Sequence, residues 1–114
     1  MTPRPPARTP LRVALLGLGT VGGAVARGIL EHGDRLAAAS GGRPIHLVAL
    51  GVRDPDRPRA VELPRAIVRS ADLAAVAGDA GVDVVVELLG GVEPAGALIA
   101  AALAGGRSVV TANK

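Results

Sequence analysis

The chain has 114 residues, 49% of them hydrophobic and 20% charged, which is room for one domain with a buried core and far from a disordered or collagen-like composition. It holds no Phe, Trp, Tyr or Cys, which excludes the base-stacking platforms of RNA and single-strand binders, disulfides, thiolate metal sites and a cysteine nucleophile. The net charge of +3 falls to +1 without Arg4 and Arg8 of a Pro-rich leader, too little for a nucleic-acid surface.

Residues 1–10 hold four of the nine prolines and are expected to form a disordered, extended leader ahead of a domain over residues 11–114. The leader lacks the apolar stretch of a secretory signal, and no apolar run approaches the ~20 residues of a membrane span. A cytoplasmic protein with no membrane partner is therefore expected. Val13 to Leu16, closed by Gly17, reads as a strand buried on both faces. Val21, Ala24, Val25, Gly28, Ile29 and His32 then recur on one helix face, with Gly33 as the stop. Ala38 to Pro44 is expected to be a loop and Ile45 to Val52 the second strand.

Residues 53–65 are polar and broken by Pro55, Pro58 and Pro64. A short third strand follows at Ala66 to Arg69, then a helix capped by Ser70 or Asp72 and closed by Gly78. Val82 to Leu89 reads as the fourth strand. Pro94 suits the first position of a helix that Gly105 and Gly106 end, and Ser108 to Ala112 is the fifth strand. Strands alternating with helices and no hairpin signal predict an α/β fold. Its form is a Rossmann-type doubly wound parallel sheet of about five strands, order 3-2-1-4-5, in a three-layer sandwich.

Gly17-Leu18-Gly19-Thr20-Val21-Gly22 is a GxGxxG pattern between the first strand and first helix. There Gly17 permits the tight turn, Gly19 lets backbone approach a pyrophosphate, and Gly22 lets helix and strand pack closely. The amides of the helix's first turn would face the anion. A plain glycine-rich turn is the structural alternative. At the end of the second strand, where an acid usually holds the ribose hydroxyls, stands Val52-Arg53-Asp54. Arg53 favours the 2′-phosphate of NADP, whereas Asp54 can still serve NAD. Arg57, Arg59, Arg65 and Arg69 are candidate helpers or simply a solvated basic loop.

Ligands of open parallel sheets sit outside the strands' carboxyl ends. Leu89, Gly90 and Gly91 at the end of the fourth strand, and Thr111, Asn113 and Lys114 at that of the fifth, are thus candidates for the nicotinamide side, Lys114 also for proximity to substrate as the one candidate catalytic residue. The alternatives are an ordinary strand-to-helix turn for the glycine pair and a merely solvated Lys114. Glu87 interrupts an apolar stretch, at an exposed strand end or hydrogen-bonded, and a structural role is expected of it. His32 and His46 have no catalytic duty in this reading, and no metal site is expected.

Taken together, Gly17-Leu-Gly-Thr-Val-Gly-Gly23, Val52-Arg-Asp54, Val82-Asp-Val-Val-Val-Glu-Leu-Leu-Gly-Gly-Val-Glu-Pro94 and Val109-Val-Thr-Ala-Asn-Lys114 resemble the amino-terminal cofactor domain of homoserine dehydrogenase. That resemblance runs from about Leu11 to the last residue. It implies an NAD(P)-dependent oxidoreductase interconverting aspartate 4-semialdehyde and homoserine, on the route to threonine, methionine and isoleucine. It also implies cofactor contacts at Leu18, Thr20, Val21, Arg53, Leu89 and Gly90, with Lys114 near substrate and nicotinamide. The general acid/base would lie in a catalytic domain outside these residues. A small-molecule substrate and, for the full-length enzyme, a homo-oligomer are expected. The competing readings are another dehydrogenase, such as one acting on aspartate, and a non-catalytic nucleotide-binding module.

Overall fold

Val13, Ala14, Leu15 and Leu16 are all shielded from water, as a strand covered on both faces must be. In the computed structural model, which describes residues 10–39, 41–54, 63–89 and 95–111, they form the centre of β1 (Leu11–Leu16). Around it run α1 (Thr20–Glu31), α2 (Gly33–Ala39), β2 (Ile45–Gly51), β3 (Val68–Ser70), α3 (Leu73–Ala77), β4 (Val84–Glu87), α4 (Ala95–Ala104) and β5 (Ser108–Thr111). The sheet order is β3-β2-β1-β4-β5 and every described pairing is parallel, as the alternation of strands and helices predicts.

Alternate side chains of β1 enter two cores. Val13 and Leu15 meet Leu18 and Ala26 on the α1 side, whereas Ala14 and Leu16 meet Val76 and Ala77 of α3 and Leu98 and Ala102 of α4. The result is three layers. β2 keeps pace with β1 through a bulge: Val13 pairs with Leu47 but Ala14 pairs with Ala49, so Val48 is the extra residue. That insertion is why Leu47 and Leu50, three apart, both face the α1 side.

Several boundaries differ from the sequence reading. Gly33 does not stop the helical region: His32 ends α1, and Gly33 opens α2, whose Ala37, Ala38 and Ala39 are strong helix formers, so the expected loop begins only after Ala39. β3 lies two residues later at its start than expected. β4 is shorter than Val82 to Leu89, because Val82 is buried in the α3–α4 core without belonging to the strand. Val52 likewise follows β2 instead of closing it. Asp72, not Ser70, is the cap of α3: its side chain accepts from the Ala75 N–H at 3.0 Å, while Ser70 Oγ accepts from the Asp72 N–H. The expectations for residues 1–9, Pro94 and Ala112 lie outside the described residues. No helix among the described residues is long and apolar enough to cross a membrane.

At the amino ends of the strands, β1 is clasped to the residue before β4. The Arg12 N–H donates to Asp83 Oδ2 (2.9 Å), the Asp83 N–H returns a bond to the Arg12 carbonyl (2.8 Å), and the guanidinium Nε lies 3.3 Å from the same carboxyl. The Arg12 backbone amide, then its guanidinium, hold the Asp83 pKa below the ordinary 3.8. A carboxyl lowered on folding stabilises at pH above its unfolded value, and that contribution is lost as pH falls through the lower folded value. Asp83→Asn should therefore cost roughly 0.5–1 kcal/mol at neutral pH, a half-exposed pair being weak. Urea unfolding should show the gap between parent and variant constant down to about pH 3.8 and closing below it; a gap unchanged in strong acid would remove the carboxyl as its source.

Candidate functional site

All five strands end level. Leu16 is in register with Gly51 on one side and Glu87 on the other, Gly51 with Ser70, and Glu87 with Thr111. The chain direction of succession reverses between β1 and β4, so the crevice outside these ends opens beside Leu16. From β2 to β5 the row spans three inter-strand steps, about 14 Å.

Gly17-Leu18-Gly19 carries β1 into α1. Gly17 has φ +96, the left-handed region that favours glycine, and a Cβ there would lie 3.0 Å from the Leu88 carbonyl oxygen at the end of β4. Its N–H donates to the Gly51 carbonyl at 2.8 Å, which ties the turn to β2 as well. A Cβ on Gly22 would fall on the Gly17 carbonyl, so the first turn of α1 rests directly on the strand's exit. Gly19 is different. Its φ is −79, and a Cβ there would meet no atom of the described residues within 4 Å beyond its chain neighbours. The described residues make no demand for glycine at Gly19 and leave room for a bound group close over its backbone.

Above Gly19 the first turn of α1 has neither a capping side chain nor an acidic residue. Its first amides have no intrahelical acceptor and carry the positive end of the helix dipole. That is the chemistry of a diphosphate cradle, and the diphosphate of a dinucleotide would fit it. Thr20 and Val21 are exposed on this turn, Val21 at 57%, whereas the Leu18 side chain is buried among Val13, Leu15 and Ala26. Arg53 is exposed two residues beyond Gly51, on the β2 side.

On the β4 side Leu89 is half-buried and Glu87 is completely buried. Of the two roles open to Glu87 in the sequence, the hydrogen-bonded one is found: Oε2 accepts from the Leu89 N–H and Oε1 from the Thr111 hydroxyl, both at 2.6 Å. The link between Glu87 and Thr111 is the feature that sequence reasoning missed. Its one trace was a lone acid in a run of valines, with a threonine at the matching level of the next strand. Gly90, Gly91, Asn113 and Lys114 lie outside the described residues, as do Arg57 and Arg59. Arg69 donates to the carbonyls of Leu63 (2.9 Å) and Ile67 (3.4 Å), a local structural duty, and Arg65 is exposed.

A groove of about 590 Å3 lies elsewhere, lined by Ile29, Leu30, Ala37, Ile45, Leu47 and Ile67 among others. It sits under α1 and α2 along β2, offers no cation to a phosphate, and His46 on its rim has no partner acid for catalysis among its lining residues. His32 is exposed at the junction of α1 and α2. Among the described residues no cluster of His, Asp or Glu could hold a metal ion.

Comparison with known proteins gives a consistent result. The family model described as "Homoserine dehydrogenase, NAD binding domain" matches residues 17–114. The curated homoserine dehydrogenase of Corynebacterium glutamicum is 43% identical over 102 residues, covering 90% of this chain and 22% of the relative. That of Synechocystis sp. is 40% identical over 104 residues, covering 91% and 23%. Among solved structures, Staphylococcus aureus homoserine dehydrogenase superposes with a TM-score of 0.82 at 31% identity, covering 93% of this chain and 27% of that one. The Thiobacillus denitrificans homoserine dehydrogenase superposes at 0.77 with 40% identity, covering 91% and 23%. The chain thus spans less than a quarter of the length of these curated relatives.

Two alanine substitutions separate packing from ligand approach. Gly22→Ala forces backbone apart and should cost on the order of 1–3 kcal/mol in denaturant unfolding. Gly19→Ala should leave stability within about 0.5 kcal/mol yet weaken NADPH and ADP about tenfold by calorimetry. A Gly19→Ala protein that binds both nucleotides as the parent does would take the diphosphate away from this turn.

Proposed function

The chain belongs to the homoserine dehydrogenase family as its NAD-binding domain, and from that premise we propose that it serves the NAD(P)H-dependent interconversion of aspartate 4-semialdehyde and homoserine, with NADP preferred over NAD. The observation that carries this reading is the uncapped first turn of α1 beside Gly19, at the point where the strand order reverses. Reduction of the aldehyde adds a hydride to its carbon and a proton to its oxygen, and the hydride is what the nicotinamide contributes when bound. This chain's part is binding and orientation: the backbone of Gly17, Leu18, Gly19, Thr20, Val21 and Gly22 holds the diphosphate. On the same family reading Leu89 and Thr111 serve the nicotinamide side, as would Gly90, Gly91, Asn113 and Lys114, which lie outside the described residues, Lys114 also by proximity to substrate.

Preference for NADP rests on Arg53, an exposed guanidinium at the β2 end able to pair a 2′-phosphate in two-point fashion and to stack on adenine. The same family reading carries a small-molecule substrate, a cytoplasmic location and a homo-oligomeric full-length enzyme. Relatives of one kind lend no weight to a dehydrogenase acting on aspartate or to a non-catalytic module.

Calorimetric titration of the 114-residue chain should give binding of NADPH and NADH without turnover of homoserine. Arg53→Ala should lower NADPH affinity by about 10- to 100-fold, the worth of charge-assisted hydrogen bonds, and leave NADH within about twofold. Equal losses for the two cofactors would dismiss Arg53 as the reader of the 2′-phosphate.

A further inference from the structure

Glu87 is the one charged residue among the completely buried large side chains of the described chain, and it stands at the level where all five strands end. A polar group in such a place must have partners, and it has them, both neutral: the Leu89 amide and the Thr111 hydroxyl. A fourth valine after Val84, Val85 and Val86 would have filled the strand with no such demand, since an apolar replacement of a buried polar group is often neutral for stability. What the carboxyl adds is geometry. One oxygen fixes the backbone two residues beyond it, where β4 becomes a loop, and the other fixes the end of the neighbouring strand 24 residues away.

Those two ends have a place in the site. The diphosphate cradle lies at the exit of β1; with one nucleoside directed toward Arg53 beyond the end of β2, the other half of a dinucleotide would extend the opposite way, over the ends of β4 and β5. The floor under that half is what Glu87 ties together. The tie also reaches the cradle, because Gly17 packs on the carbonyl of Leu88, between the carboxyl and the amide it accepts from.

We infer that Glu87 is a positioning residue for the nicotinamide half of the cofactor: by bridging the Leu89 amide and the Thr111 hydroxyl it holds the ends of β4 and β5 at the separation that this half requires. The inference rests on the cofactor reading above and assigns no contact between Glu87 and the cofactor. Because the adenosine and diphosphate portions lie over β1 and β2, loss of the bridge acts on one half of the ligand only.

The test compares NADPH and NADH with ADP, which lacks the nicotinamide riboside. Glu87→Met keeps the bulk and removes both bonds, and Thr111→Val removes the hydroxyl alone. Both should weaken NADPH and NADH about tenfold while ADP stays within about twofold. Glu87→Gln can still accept from the Leu89 amide and donate to the Thr111 oxygen, so it should bind as the parent does. The proposal is overturned if the disrupted variants bind the whole cofactors normally, or if ADP falls in parallel, which is the mark of a general loss of structure. Should Glu87→Met fail to fold, Glu87→Val, which continues the valine run of β4, decides by the same split between whole cofactors and ADP. A parent chain that binds none of the three nucleotides would bring down the cofactor reading itself, and the bridge's role with it.

Discussion

The contact on which this molecule depends is between two pieces of backbone: the first turn of α1, at Gly22, lying on the carbonyl of Gly17. Side chains cannot make that approach. Because helix and strand meet there without a spacer, α1 starts directly above the end of β1, and its unpaired amides face the crevice instead of the core. Gly17 is held in turn from both sides, by its bond to Gly51 of β2 and by its packing on Leu88 past β4. The turn is thus the point where three strands and a helix are joined, and the anion cradle follows from the packing.

A core with no aromatic residue suits this closeness. Helices α1, α3 and α4 each enter a sheet-facing core with an alanine that has no exposed surface: Ala26, Ala77 and Ala102. Leucines and valines of the strands fill the space between, and alternation along β1 divides them between the two faces. The one polar member of this interior, Glu87, is satisfied at both oxygens, so the polar cost of burying it is met by bonds that also join two strand ends.

The architecture was legible because its signals are local or periodic. Four apolar residues before Gly17, the helical spacing from Val21 to Ile29, and the absence of hairpin turns suffice for a parallel sheet with helical crossovers, and the phosphate turn is six consecutive residues. What escaped was contextual. Gly33 looks like a stop by propensity, but at the first position of a helix glycine costs little, and the alanines after it carry α2. Hydrophobicity runs past the ends of β4 because burial and strand pairing are separate matters, as Val82 shows. The bulge at Val48 and the bridge from Glu87 to Thr111 depend on register between segments far apart, which no single stretch of sequence records. Arg69 reads as a candidate for the ligand on charge alone, and only the carbonyls around it reveal its local duty.

The long reach of the Arg12–Asp83 clasp, 71 residues apart in the chain, has a bearing on how the molecule is made. β1 emerges from the ribosome ahead of its neighbour β4, and the Leu88 carbonyl on which Gly17 rests follows only after that interval. At about 5–20 residues per second this is a wait of roughly 4 to 14 s, during which an apolar central strand has one flank without a partner. Newly synthesised chain therefore carries an unpaired apolar strand edge, the kind of surface prone to sticking, until residue 88 appears.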